Sequence, residues 1–236
     1  MTTLPQPSLA GEPLFRNPLF QRLTNGAWRP GGTRLTEQGL AMCGLARGAH
    51  VVDVGCGAGA TLTLLRSHGF YALGVDSNAT QAARAHAGYC LTATATALPL
   101  ASDSMDGLVC ECVLSLLADA PRALRECARV LRPAGSMLLT DMYARHADAS
   151  LQFSMHPAQS TCDDADTRAA SRSCADAPRS RAMLEAMFTA AGLHVLHFSD
   201  HSAALAALAA HLVWHDVPSP TRCACATGYG MWILRK

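Results

Sequence analysis

The sequence predicts an α/β fold: a mainly parallel sheet of seven strands with helices on both faces. Three observations predict it. Short apolar runs alternate with helical patterns through the first two thirds of the chain, as in parallel strands joined by crossover helices. The first long apolar run, Val51–Val54, passes into a glycine-rich turn and then a helix. The 236 residues are 50% hydrophobic and 16% charged, enough to bury a substantial core and unlike a disordered composition.

Residues 1–32 read as an N-terminal arm, with Pro5, Pro7, Pro13 and Pro18 and a closing Trp28-Arg29-Pro30-Gly31-Gly32 run. Thr33 or Thr36 is placed to cap a helix to about Leu45, with Gly48 at its end. Val51, Val52 and Val54 mark a buried strand, and residues 60–67 a helix that stops near Gly69. Residues 71–75 form a second strand with Asp76 at its tip, and Asn78 caps an Ala-rich helix to Ala87. Residues 89–93 are a third strand. Pro99 breaks the chain, and residues 107–113 are a fourth strand. Leu124, Ala128 and Leu131 lie at helical spacing in a helix that stops before Pro133 and Gly135. Residues 136–140 make a fifth strand that Asp141 ends. Residues 144–178, rich in Ala, Ser, Asp and Arg, lack apolar periodicity and read as an insertion or lid. A helix over 179–191, a strand over 193–198, an Ala-rich helix over 203–214 and a last strand over 229–234 complete one domain spanning 33–236.

The formal net charge of +1 gives no broad electrostatic footprint for nucleic acid or an anionic membrane. The first residues, MTTLPQPSLAGEP, lack the basic start and apolar run of a secretory signal. The apolar stretch 203–214 is too short to cross a bilayer and contains His211. A cytoplasmic location is the expectation; oligomeric state is not encoded in these features.

The central motif is Asp53-Val54-Gly55-Cys56-Gly57-Ala58-Gly59, joining the first strand to its helix. Glycines here permit a tight turn and close approach of a ligand to backbone. Gly55, Gly57 and Ala60 also fit a relaxed dinucleotide fingerprint. Asp76, at the tip of the second strand, is placed to accept hydrogen bonds from both hydroxyls of a ribose. Loop and Asp76 together fit either an NAD or an adenosylmethionine site.

Four segments in order separate the two: VVDVGCGAGATLTLL, GVDSN, ATALPLASDSMDGLVCECVLSLL and ALRECARVLRPAGSMLLTDMY. Together they resemble the successive motifs of class I S-adenosylmethionine-dependent methyltransferases, particularly the small-molecule group called type 11. The resemblance covers about residues 33–143, and the ending at 193–236 is similar to the antiparallel terminal hairpin of that Rossmann-like fold. It implies S-adenosyl-L-methionine as cofactor and methyl transfer to a small molecule. It also implies roles. The loop from Gly55 through Cys56 and Gly57 to Gly59 passes under the methionine part, and Asp53 orients its amino group. Asp76 holds the ribose, with Ser77 or Asn78 beside the adenine. Ala95 and Thr96 line the adenine, and Glu111 and Cys112 lie near the methionine or substrate. One departure stands out: the family often has an acidic residue where this chain has Thr94, whose hydroxyl can still bond an adenine amino group but without charge.

In such an enzyme the cofactor carries the reactive group, and the protein binds and aligns. The absence of a catalytic dyad is therefore no objection. Candidate bases are Glu111, Asp141, His146 and His156, with Tyr143 beside Asp141 on the ligand-binding side of the sheet. Each has a plain structural alternative, solvation for the histidines and a strand end for Asp141. Arg29, Pro30, Gly31 and Gly32 read either as a flap over the cofactor or as an ordinary turn.

Ten cysteines, scattered without secretory features, argue against a disulfide framework. Cys110 and Cys112, two apart, fall on one face of the fourth strand by alternation. Cys223 and Cys225 precede the last strand, and Cys162 and Cys174 lie in the insertion. The resemblance extends to arsenic methyltransferases, which use several cysteines on this fold, so trivalent arsenic is an alternative acceptor; no Cys-x-x-Cys pair or other standard zinc pattern occurs, and no metal is expected. Two further alternatives are an NAD-dependent oxidoreductase and a non-catalytic cofactor-binding partner protein.

Overall fold

The computed structural model describes residues 20, 24, 26, 27, 29–85, 89–145, 178–215 and 227–236. The elements are α1 (Gly32–Cys43), β1 (His50–Val54), α2 (Ala60–Ser67), β2 (Tyr71–Asp76), α3 (Ala79–Arg84), β3 (Cys90–Thr92), β4 (Met105–Glu111), a 3-10 turn (Leu114–Leu116), α4 (Ala120–Val130), β5 (Leu131–Ala144), α5 (Arg181–Ala190), β6 (His194–Asp200), α6 (Ser202–Trp214) and β7 (Thr227–Arg235). The seven strands form one sheet in the order β3-β2-β1-β4-β5-β7-β6. The pairs from β3 through β5 are parallel, and β7 runs antiparallel between β5 and β6. The Rossmann-like sheet with its antiparallel terminal hairpin is therefore present.

Alternation along each strand builds two cores. Val52, Val54, Leu108, Cys110, Met137, Leu139 and Trp232 face α4 and α5 with Leu124 and Phe188. Val51, Val109, Leu138, Met142 and Tyr229 face α1 and α2 with Leu35, Leu40 and Leu62. Helices cover both faces because both faces are apolar. Phe188, Phe198 and Tyr143 surround the Trp232 ring at centroid separations of 5.0–6.1 Å.

Some expectations need correction. α1 starts after Gly31, whose φ is 78°, so neither Thr33 nor Thr36 is its cap; Thr36 lies inside the helix, and Gly44 ends it. Asn78 caps α3 through Thr80 and Gln81, but that helix stops at Arg84. β4 ends at Glu111 rather than residue 113, because Cys112 turns to a φ of 55°. That turn breaks the alternation. Cys110 packs in the α4 and α5 core, whereas Cys112 packs toward α1 and α2, so the two are not on one face. Leu131 opens β5 instead of closing α4. β5 also continues past Asp141 to Ala144, held by pairing with β7 from Ser136 to Ala144. Asp141 thus sits within its strand. Residues 146–177, most of the expected insertion, lie outside the described residues, as do 216–226. Among the described residues no helix is long and apolar enough to cross a membrane.

Candidate cofactor site

The strand order reverses between β1 and β4, which are neighbours in the sheet although β2 and β3 intervene in the chain. Crevices for ligands open at the carboxyl ends of strands at such a reversal. The glycine loop leaves β1 at this point. Its turn is held by Gly55 N–H and Cys56 N–H, which both donate to the Val75 carbonyl, at 2.7 and 3.2 Å. Gly55, Gly57 and Gly59 all have positive φ. At Gly55 a Cβ would also stand 2.2 Å from Val113 Cγ2, so no other residue fits between the loop and the segment after β4.

Asp76 closes the outer side of the loop. Its carboxylate accepts from Gly57 N–H at 2.9 Å and from Asn78 N–H at 2.8 Å. Asn78 is occupied as a helix cap, and Ser77 beside it is exposed. Thr94, Ala95 and Thr96 follow β3 on a segment carried by α4. Arg122 Nε donates to the Thr96 carbonyl at 3.1 Å, and Arg129 donates to the carbonyls of Leu98 and Leu100. The Thr94 and Thr96 hydroxyls are 3.2 Å apart.

Asp53 and Glu111 have the same strand parity as Val51 and Val109, and so point toward α1 and α2. Both are buried. Glu111 pairs with Arg29 at 2.8 Å and accepts from Thr36 at 3.1 Å and Thr61 at 3.3 Å. Arg29 also donates to both threonine hydroxyls. The Arg29–Gly32 run is therefore no ordinary exposed turn; its arginine is 8% exposed and locked into the sheet tip. Burial opposes the Arg29 charge, but Glu111, Tyr229 and Asp53 outweigh it and hold the guanidinium above its ordinary value. Burial pushes the Glu111 carboxyl up, against the pull of Arg29 and the two threonines.

Asp53 is less well served. Its Oδ2 is buried and has no hydrogen-bond partner. Burial, then the nearby Glu111 charge, raises its carboxyl from 3.8 to about 8, with Arg29 opposing. A buried, unpartnered acceptor beside a glycine loop is a group that a donating ligand ammonium would satisfy.

The expected catalytic residues do not converge. Glu111 faces α1, whereas Asp141 and Tyr143 have the parity of the opposite core. The Asp141 carboxylate is held by Ser115 N–H at 2.9 Å and the Ser115 hydroxyl at 2.6 Å. Tyr143 donates to Asp200 at 3.0 Å. His146 and His156 lie outside the described residues. Cys112 Sγ lies 3.3 Å from the Tyr229 hydroxyl, which bonds Thr140 at 2.8 Å. The sequence does not point to these roles of Thr36, Thr61 and Tyr229: Thr61 lies in the glycine-loop segment and Thr36 reads there only as a candidate helix cap, and only the fold brings them to Glu111 and Cys112. Cys162, Cys174, Cys223 and Cys225 are outside the described residues. Among those described, no group of three or more His, Cys, Asp or Glu gathers as a metal site.

Residues 52–139, which hold the loop, Asp76 and Glu111, match the family described as a methyltransferase domain. The chain resembles an O-methyltransferase, resE, of Aspergillus sclerotiorum, 31% identical over 46% of this chain and 46% of that protein. It also resembles an arsenite methyltransferase of Aquipseudomonas alcaligenes, 34% identical over 45% of this chain and 36% of that protein. The chain thus spans about half the length, or less, of these curated relatives. Among solved structures, the cyclopropane synthase MmaA2 of Mycobacterium tuberculosis superposes with a TM-score of 0.70 at 15% identity, over 95% of this chain and 96% of that one. At that identity the likeness is one of fold.

Proposed function

We infer that this chain binds S-adenosylmethionine above β1 and β4 and transfers its methyl group to a small-molecule acceptor. The observation that carries this reading is the buried Asp53 oxygen without a partner, at the tip of β1 beside the loop. The residues present fit the cofactor. Asp53 takes the methionine ammonium, the loop from Gly55 to Gly59 with Cys56 and Gly57 lies under the methionine, and Asp76 takes the ribose hydroxyls. Ser77, Asn78, Ala95 and Thr96 border the adenine, with Glu111 and Cys112 at the methionine end. When bound, the cofactor supplies an electrophilic methyl on a sulfonium. The chain's own task is to bind, to exclude water and to align the acceptor. Glu111, engaged by Arg29, Thr36 and Thr61, shapes the site rather than taking a proton. Within this reading residues 1–32 form an arm that delivers Arg29, and 33–236 form one domain with an insertion at about 144–178.

Calorimetric titration with S-adenosylmethionine, S-adenosylhomocysteine and NAD tests the reading. The first two are expected to bind and NAD is not. Asp76→Ala is expected to weaken binding about ten- to 150-fold, the loss typical of a hydrogen bond to a charged group. Binding of NAD alone would overturn the assignment. Thr94→Ala should weaken binding only about two- to tenfold, as for a neutral hydrogen bond. An unchanged Kd would remove Thr94 from the adenine pocket.

The names of the two curated relatives specify different acceptors, and fold does not choose between them. Methyl transfer measured with a phenolic acceptor and with arsenite, side by side, separates these classes. Binding without turnover on any acceptor would favour a non-catalytic partner protein.

A further inference from the structure

Cys56 stands between Gly55 and Gly57 in the cofactor loop, and Cys90 opens β3. Their sulfurs are 3.0 Å apart, about 1 Å from bonding distance. Both are free thiols. The sheet enforces this meeting. Cys90 is the register partner of Gly74 on β2, and Cys56 packs over the same glycine. A Cβ on Gly74 would fall 2.6 Å from the Cys56 sulfur, so the missing side chain creates the space that Cys56 fills. The glycine loop, anchored to β2 through Cys56 N–H and the Val75 carbonyl, and β3 thus hold the thiols face to face, which raises their effective concentration for one another. Cys56 is buried, while Cys90 is half-exposed and within reach of a small reagent.

We propose that Cys56 and Cys90 are a reversible redox site, closed to a disulfide by low-molecular-weight disulfides, that lowers cofactor affinity when oxidised. The Cys90 thiolate attacks one sulfur of a disulfide RSSR and releases RS−. The Cys56 thiolate then attacks the Cys90 sulfur of the mixed disulfide and releases the second RS−. The cysteines give up two electrons, RSSR is reduced to two RSH, and the two cysteine protons end on those thiols. Burial raises both thiols, which lowers their thiolate fraction and makes exchange slow.

Oxidation acts on the site through the loop. Drawing the Cys56 sulfur toward β3 moves the backbone on either side of it. Gly57 N–H, one residue on, is bonded to Asp76, the residue assigned to the ribose. The loss of affinity therefore rests on the cofactor reading above; the formation of the disulfide does not.

The test uses the full chain, reduced and then equilibrated with oxidised glutathione, followed by peptide mapping and calorimetry with S-adenosylmethionine. The expected result is a linked Cys56–Cys90 peptide and affinity lower by about tenfold, the scale of one lost backbone hydrogen bond. Dithiothreitol should restore binding. Cys90→Ser should bind like the reduced protein and not respond to glutathione. Absence of the linked peptide while other thiols become glutathionylated overturns the site. A linked peptide with unchanged affinity overturns the coupling to the cofactor. If the reduced protein binds no S-adenosylmethionine, the cofactor reading fails, and the mapped peptide still decides whether the disulfide forms.

Discussion

Replacing Arg29 by alanine is expected to destabilise the unliganded protein by about 3–5 kcal/mol, the usual cost of removing one partner of a buried ion pair. Arg29 and Glu111 side chains are 9% and 3% exposed, so solvent screens the pair little. Without the guanidinium, Glu111 keeps two threonine hydroxyls but no cation. Its carboxyl, already pushed up by burial, then takes a proton, which limits the loss. The double variant Arg29→Met, Glu111→Leu should recover much of the stability, since an apolar pair of similar volume removes both desolvation costs. Urea unfolding of the three proteins measures this. A loss below about 1 kcal/mol in Arg29→Ala, the range of exposed pairs, would mean that Arg29 is not seated at the sheet tip.

That pair also shows where sequence reasoning stops. Strand positions were legible because the apolar runs are short and bounded by Gly or Asp, and the loop because its glycines follow such a run. Strand ends were not. Residues 107–113 are uniformly compatible with a strand, and only the positive φ at Cys112 ends it at Glu111. β5 runs on through a buried Asp141 because Ser115, on a different segment, supplies its hydrogen bonds. A local pattern reads such an aspartate as a strand end, for the partner that makes its burial tolerable is not local. The same holds for the site. Thr36 and Glu111 are 75 residues apart, and Cys56 and Cys90 are 34 apart. Asp53, Gly55 and Asp76 were found because they belong to one contiguous strand–turn–helix–strand unit. Arg29 was singled out only through its neighbouring Pro and Gly residues, which indicate a turn but not what the arginine touches.

The largest effect on binding should come from Asp53 and pH. In the free protein the Asp53 carboxyl sits at about 8, so at pH 6 it is almost entirely protonated and cannot pair with an ammonium. The cofactor binds the ionised form, and affinity follows the ionised fraction. Between pH 6 and pH 8 the Kd for S-adenosylmethionine should therefore fall about fiftyfold, flattening above that. Binding near neutral pH should release close to one proton, seen as a dependence of calorimetric heat on the ionisation enthalpy of the buffer. Asp53→Asn should remove both the pH slope and the proton release while keeping the side chain's size. The sign for stability is opposite. A carboxyl raised from 3.8 to about 8 by folding stabilises the unliganded fold fully below pH 3.8, and that contribution is lost as pH rises through about 8. Ligand and proton thus compete for the same buried oxygen. A Kd independent of pH across this range would show that Asp53 is already ionised, with its charge met by Arg29 rather than by the cofactor.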